Sequence, residues 1–480
     1  MCEPGPVGQN YGTSDWGGRP APTGSDWRRR SFRRPAKTMT LRHNPRFVRF
    51  WLASTVSDFG TFVTTVALSV LILVTLDGTA FDQGLVNAAR WAPYLLFGLI
   101  AGIWVDRFER TTVLVAGDFG RGALLLALCV AALLDILTVP WLMAIVFAFG
   151  TLALLSDVAF QSFLPALVPR GQLTRANARL EQSGTVAETT GAAFAGALVA
   201  VVTAPIALLF DAVSYFLSGA LLSSIRRGQP ARVEVAQPAG VSVRGRIGEG
   251  LGWVYGHVHL GPLALSTHIW FIGFSMVGAV VPSLVIHELG LGAFGLGLIL
   301  GGAGIGAVAG TTVSARLGER FGTGRTLVAA HLVEPVGVAL MALAPLVLVA
   351  LQGDIASGAS RGPATDWPAG TWVAFAVAFT GQFIIGTAMG ASGPVEMGFW
   401  QAVTPDRLIA RMTATRRSVN RGMIVAGAPI GGFIAASAGV EPALWVAAAV
   451  MLLAGVILAA SPFRSARVEL HQLSDEEAQG

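Results

Sequence analysis

Apolar residues in this chain fall into twelve long runs separated by short polar turns. The runs lie at 50–75, 84–105, 111–135, 139–162, 180–203, 205–225, 263–287, 293–315, 325–350, 371–399, 416–438 and 441–463. At a rise of about 1.5 Å per residue, a helix over each run can cross a hydrocarbon core roughly 30 Å thick. The pattern predicts an all-α polytopic membrane protein of about 12 transmembrane helices, six within 47–225 and six within 263–463. Residues 1–46, rich in Gly, Pro, Ser and Arg, have no apolar periodicity and read as a disordered basic tail. The tail lacks the short apolar core and cleavage site of a signal peptide. From Met39 the sequence "MTLRHNPRFVRFWLAS" reads as an alternative start, with residues 1–38 an extension before it. Residues 226–262 connect the two sets of six. They open as polar linker and end in "GEGLGWVYGHVHLGPLAL", where Trp and Tyr beside an apolar run predict an interfacial helix. His257 and His259 in that stretch read as solvated side chains rather than ligands. The loop 351–371 reads as a flexible connection, and 464–480 as a C-terminal tail.

Composition supports the membrane reading. The chain is 53% hydrophobic and 13% charged, against about 25% charged residues in soluble domains. The 59 glycines would weaken soluble helices, but they let membrane helices approach closely. A net charge of +5 does not point to nucleic acid, because the arginines are spread over short loops instead of one face. Counted from a cytoplasmic N-terminus, the inner loops carry Arg107, Arg110, Arg170, Arg175, Arg179 and further arginines up to Arg421, whereas the outer loops carry Arg361 alone. This asymmetry places both termini in the cytoplasm of a multi-pass protein of the cell membrane. Cys2 and Cys129 are not expected to meet, so neither a disulfide nor a metal site is expected, and Cys129 reads as a small core residue.

The two halves resemble each other. Shifted by 213 residues, "VDRFERTTVL" (105–114) overlays "GERFGTGRTL" (318–327), with Asp106 on Glu319, Arg107 on Arg320 and Phe108 on Phe321. Shifted by 236, Arg175 falls on Arg411, Gly191 on Gly427, Ala192 on Ala428 and Gly196 on Gly432. Both overlays at corresponding points of each half imply a six-plus-six duplication.

"GIWVDRFERTTVL" (102–114) resembles the signature loop between spans two and three of the major facilitator superfamily, matching at Gly102, Asp106, Arg107 and Arg110, with Glu109 where a glycine is usual. "LPALVPRGQLTRANA" (164–178), "FDAVSYFLSGALL" (210–222) and "GEGLGWVYGH" (248–257) are similar to the branch of enterobactin-type siderophore exporters and macrolide efflux pumps. The resemblance covers roughly 40–465. It implies two six-helix bundles with substrate bound between them, and says little about which substrate. It also implies a cytoplasmic gate at Gly102, Asp106, Arg107 and Arg110. On physical grounds, a carboxylate ending a span there can pair with arginines or a helix N-terminus, and Asp157 is placed as a partner for Arg110. Drug antiporters of the superfamily carry a Gly-Pro-rich stretch in span five. Here span five has "GAAFAG" (191–196) without proline, and "GAPIGG" (427–432) stands in span eleven. Gly191, Gly196, Gly427, Gly431 and Gly432 are candidates for close helix packing, and Pro429 for a bend.

Charges inside the spans are functional candidates because they are costly there. Asp58, Glu188 and Glu334 each lie nine residues beyond an inner-edge arginine (Arg49, Arg179 and Arg325), about 13 Å into the bilayer. Asp58 and Glu188, and after them Glu334, are candidates for proton coupling or for meeting a cationic substrate. Arg90, one turn after Asn87, is a candidate partner for Asp58 or for an anionic substrate. Asp118 and Arg121 share a helix face, and the repeat puts His331 and Glu334 at the same places. Polar pairs of this kind often serve only to hold helices together. Asp211 fits a structural role as well as a functional one.

The leading reading is a secondary active transporter exporting a small hydrophobic, drug-like or siderophore-like molecule in exchange for protons. A metabolite importer or facilitator of the same fold is the alternative, and a non-transporting sensor or membrane enzyme a distant third. Lys37 in the tail is the sole lysine, which rules out a Walker-type phosphate loop and an intramembrane Schiff base. No enzyme activity and no cofactor are expected. The expected partners are a small-molecule substrate, protons and the bilayer, with the chain acting as a monomer.

Overall fold

The structure is a computed structural model and describes residues 41–105, 107–169, 172–225, 243–352 and 367–467. Every regular element among them is helical. Helix α1 (Pro45–Val70) starts where the Asn44 side chain accepts the backbone N–H groups of Arg46 and Phe47, at 3.1 and 3.3 Å. Pro45 follows at the first helical position, where its missing N–H is no loss. Helix α2 (Ala80–Val105) opens on a reciprocal cap. Asp82 accepts the Thr79 N–H at 2.7 Å, and the Thr79 hydroxyl oxygen accepts the Asp82 N–H at 3.3 Å. The first half continues with α3 (Arg110–Leu133), α4 (Val139–Leu167), α5 (Leu173–Val202) and α6 (Ala204–Ser223). A short helix, α7 (Val243–Gly256), precedes α8 (Leu260–Ser283), α9 (Gly292–Phe321), α10 (Thr323–Gln352), α11 (Ala369–Val403), α12 (Asp406–Ala438) and α13 (Val440–Ala460).

Among the described residues, eleven helices are long and apolar enough to cross a membrane. The expected twelfth is α2, 26 residues long and packed between α4 and α12. Asp82, Gln83, Asn87 and Arg90 interrupt its apolar face.

The duplication is visible in the backbone. One π-helical turn extends α1 (Leu71–Thr75) and another extends α8 (Leu284–Glu288), in the 213-residue register. Gly219 packs on Asp118 and Phe119, and its repeat-related Gly455 packs on His331 and Leu332. The helix α7 docks on α12. Glu249 pairs with Arg411 and, at 3.6 Å, with Arg407, and the Trp253 indole donates to Thr404 at 3.3 Å. His257 is not merely solvated: its Nδ1 accepts the backbone N–H groups of His259 and Leu260 and so caps the start of α8.

The α2–α3, α4–α5, α9–α10 and α11–α12 turns gather at an arginine-rich end of the bundle, and the α1–α2, α5–α6, α8–α9 and α12–α13 turns at an arginine-poor end. At the arginine-poor end one continuous apolar core joins the two halves, including Leu71, Val199, Leu284, Leu296 and Val440. At the arginine-rich end the core divides. One body, around Phe47, Phe50 and Phe163, belongs to the first half; the other, around Phe399, Trp400 and Phe463, belongs to the second.

Candidate functional site

Between the halves lies a cavity of 330 Å³, walled by α1, α2 and α5 on one side and α8, α9 and α11 on the other. Phe62, Phe274, Val281 and Leu300 make much of its wall apolar, and Asn87, Arg90, Glu188 and Gln382 supply polar groups. Arg90 reaches Thr65 at 3.5 Å. Gln83 donates to Ser69 at 3.0 Å, while its buried side-chain oxygen has no partner. Glu188 is exposed, near the middle of α5. An apolar chamber with one guanidinium, one carboxylate and several amides can hold an amphipathic molecule and orient it by a few hydrogen bonds.

Glycines close this cavity at the arginine-poor end. Gly196 of α5 meets Ala293 and Gly297 of α9 backbone to backbone, and Gly432 of α12 meets Ala80 and Phe81 of α2. Gly84 lies on Ala428 and Pro429, Gly191 on Phe62, Gly427 on Ile272 and Gly431 on Met276. The α5–α9 seam continues to Thr189 and Gly304, but a side chain added at Gly184 would meet nothing within 4 Å.

The other intramembrane charges lie away from the central cavity. Asp58 lines a side cavity of 250 Å³ inside the first half, with Asp118, Arg121, Ser156 and Asp157, so the structure does not bring Arg90 to Asp58. Asp118 and Arg121 form an ion pair; Ser218 donates to Asp118 at 2.5 Å, and the guanidinium lies 4.4 Å from the centre of the Tyr215 ring. Glu334 and His331 line a second side cavity, of 270 Å³, in the other half. They differ from the Asp118–Arg121 pair: Glu334 accepts from the Trp270 indole, and His331 donates to the Leu327 carbonyl at 3.0 Å. Asp211 is fully buried and holds α6 to α1 through Thr64, with Ser214 donating at 2.8 Å.

At the arginine-rich end, Asp106 lies outside the described residues. A side chain at Gly102 would meet nothing within 4 Å, Arg107 is exposed and Arg110 is half-buried. Asp157 accepts from the Tyr94 hydroxyl at 2.7 Å. Beside Tyr94 stands Trp91, and the Arg421 guanidinium of α12 lies 3.9 Å from its ring centre. Trp91, Tyr94 and Arg421 thus connect the halves near the open end. The sequence reading missed them, and the one available signal was two aromatic residues one turn past Asn87 and Arg90.

Comparison with known proteins places this geometry. The sequence model described as "Transmembrane secretion effector" matches residues 38–362, and that of the major facilitator superfamily matches residues 263–479. An uncharacterized MFS-type transporter of Mycobacterium tuberculosis is 31% identical over 157 residues, 32% of this chain and 35% of that one. The alignment therefore spans about a third of that relative's length. The staphyloferrin A transporter of Staphylococcus aureus is 26% identical over 176 residues, 35% of this chain and 43% of that one. Among solved structures, a bacterial homologue of the iron transporter ferroportin in an inward-facing state superposes with a TM-score of 0.65 at 16% identity, covering 88% of this chain and 99% of that one. A bacterial ferroportin homologue in an outward-facing state gives 0.53 at 17% identity, covering 86% and 98%. At such identities the structures establish the fold and leave the substrate open. The chain belongs to the transmembrane secretion effector family, and it is a multi-pass membrane protein of the major facilitator fold.

Proposed function

We propose that this transporter exports a small, largely apolar, drug-like or siderophore-like molecule from the cell in exchange for protons. One observation carries the reading: a mainly apolar cavity with a few polar groups lies between the halves, where their core is joined at one end and divided at the other. Such a chamber suits alternating access, with the halves rocking about a central site. The arginine-rich end faces the cytoplasm on the strength of its charge, and both termini lie on that side. The cavity then opens inward, in keeping with the higher TM-score to the inward-facing structure. Glu188 lines the substrate cavity and Asp58 a chamber beside it, so both stand as coupling carboxylates. The staphyloferrin A transporter among the relatives supports a siderophore-like cargo.

The test is efflux of a compound panel from drug-sensitive cells, with and without a protonophore, for wild type, Glu188→Gln and Asp58→Asn. Protonophore-sensitive efflux that either variant loses supports the reading. Movement insensitive to the gradient contradicts proton coupling and favours a facilitator.

A further inference from the structure

We propose that the cargo of the central cavity carries a carboxylate, and that Arg90 is the group that binds it. This deepens the export reading and rests on it only in taking the central cavity as the substrate site. Arg90 lines the cavity from α2, and its guanidinium donates to the Thr65 hydroxyl oxygen, also on the wall, at 3.5 Å. Among the described residues it forms no ion pair. The Trp91 ring, 5.7 Å away, offers a cation–π contact but no charge. Glu188 lines the same cavity without pairing to Arg90. Asp118, Asp157 and Asp211 have partners of their own in Arg121, Tyr94 and Thr64. A guanidinium keeps its charge where a buried lysine sheds it. Left unpaired in a chamber of low dielectric it is costly, and an arriving anion relieves that cost.

Gln382 is a second, independent observation. It stands on α11 of the other half, is 6% exposed, lines the cavity and makes no hydrogen bond among the described residues. Asn87, one turn before Arg90, also lines the cavity and makes none. An amide buried without a partner is costly. A carboxylate accepts two parallel N–H groups from a guanidinium and has lone pairs left for an amide N–H. Water can serve the amides, but it cannot neutralise the guanidinium. One positive charge suits one carboxylate. A phosphate monoester, with a charge of about −2, would leave one charge unmatched in the chamber that holds Glu188.

The duplication supplies an internal comparison. In the 213-residue register Thr65, Ser69, Asn87 and Arg90 correspond to Gly278, Pro282, Leu300 and Ala303. All eight line the cavity. The α1–α2 wall thus carries hydroxyls, an amide and the guanidinium where the matching α8–α9 wall is apolar. Phe274, Val277 and Val281 extend that apolar wall, which suits a hydrocarbon or aromatic body. The chamber fits an amphipathic monocarboxylate with its acid on α2 and its body against α8 and α9. Arg90 acts here in recognition and carries no proton.

The experiment uses the full-length protein purified in detergent. The probes are two acids, phenylbutyrate and phenyloctanoate, each beside its own amide and amine. Binding is measured by titration calorimetry and by the shift in Tm. At least one acid should bind saturably, about tenfold tighter or more than its amide and its amine. Arg90→Gln should weaken the acid to the level of the amide. Its ligand-free Tm should stay the same or rise, since an unpaired charge is removed. Arg90→Lys keeps the charge but loses the forked geometry, and should retain part of the preference. Gln382→Leu should weaken the acid severalfold. Equal binding of acid and amide, no binding of either acid, or a preference kept in Arg90→Gln would each overturn the proposal. A ligand-free Tm lowered by Arg90→Gln would overturn it too, by assigning Arg90 to holding α1 and α2 together. These measurements need no gradient, so a failure of proton coupling leaves them standing. Export of a cargo without an acid group would sink this inference alone.

Discussion

The α5–α9 seam offers a sharp perturbation. A Cβ on Gly297 would lie 2.5 Å from the Ala192 carbonyl oxygen and 2.7 Å from the Gly196 Cα. Both are backbone atoms, so no side chain can rotate away. Overpacking of this kind costs about 1–3 kcal/mol. In Gly297→Val the penalty falls on the state closed at the arginine-poor end, and a state with that seam parted escapes it. A difference of about 1–3 kcal/mol between two states shifts their ratio roughly 5–150-fold. A thiol reporter at Gly184→Cys reads the shift, because its side chain enters open space in the present state. The background carries Cys2→Ser, and Cys129 is buried. The rate of alkylation by a hydrophilic maleimide should fall, by at most that factor, when Gly297→Val is added, because the arginine-rich end closes as the other opens. An unchanged rate would show that the seam does not gate. A faster rate with a lower Tm would show that the substitution loosens the bundle instead.

Further outcomes follow from the polar contacts. Arg121→Met leaves Asp118 buried and unpaired and should lower stability by about 3–5 kcal/mol; Arg121→Met with Asp118→Leu should recover most of it, as thermal unfolding would show. Arg421→Ala removes the guanidinium from Trp91 and should weaken the contact between the halves by about 1–2 kcal/mol, seen as a longer spin-label distance across the arginine-rich end. Asp82→Ala removes the cap of α2 and should lower stability by about 1 kcal/mol while leaving efflux intact.

Hydropathy revealed the membrane-crossing part of each helix, not its full length. The run at 416–438 belongs to a helix that begins at Asp406, because a helical backbone continues past the apolar zone on arginines that read as loop. The 180–203 run likewise belongs to α5, which starts at Leu173. The polar face of α2 exposed Asn87 and Arg90 as site candidates. Glu188 could be placed by depth alone, since any carboxylate nine residues in from the edge reaches mid-membrane. Depth does not give azimuth, however, so Asp58 and Glu188 looked equivalent although they line different cavities. The Tyr94–Asp157 bond and the Arg421–Trp91 stack join helices far apart in the chain, and no local pattern announces them.

The most direct test of the central claim is transport by the purified protein in proteoliposomes. A panel of drug-like and siderophore-like compounds is offered with an imposed pH gradient, acid inside, for wild type and Glu188→Gln. The account predicts uphill accumulation of at least one compound that collapses with the gradient and is lost in the variant. Equilibration of a compound to the same level with and without the gradient, unaffected by Glu188→Gln, would contradict it.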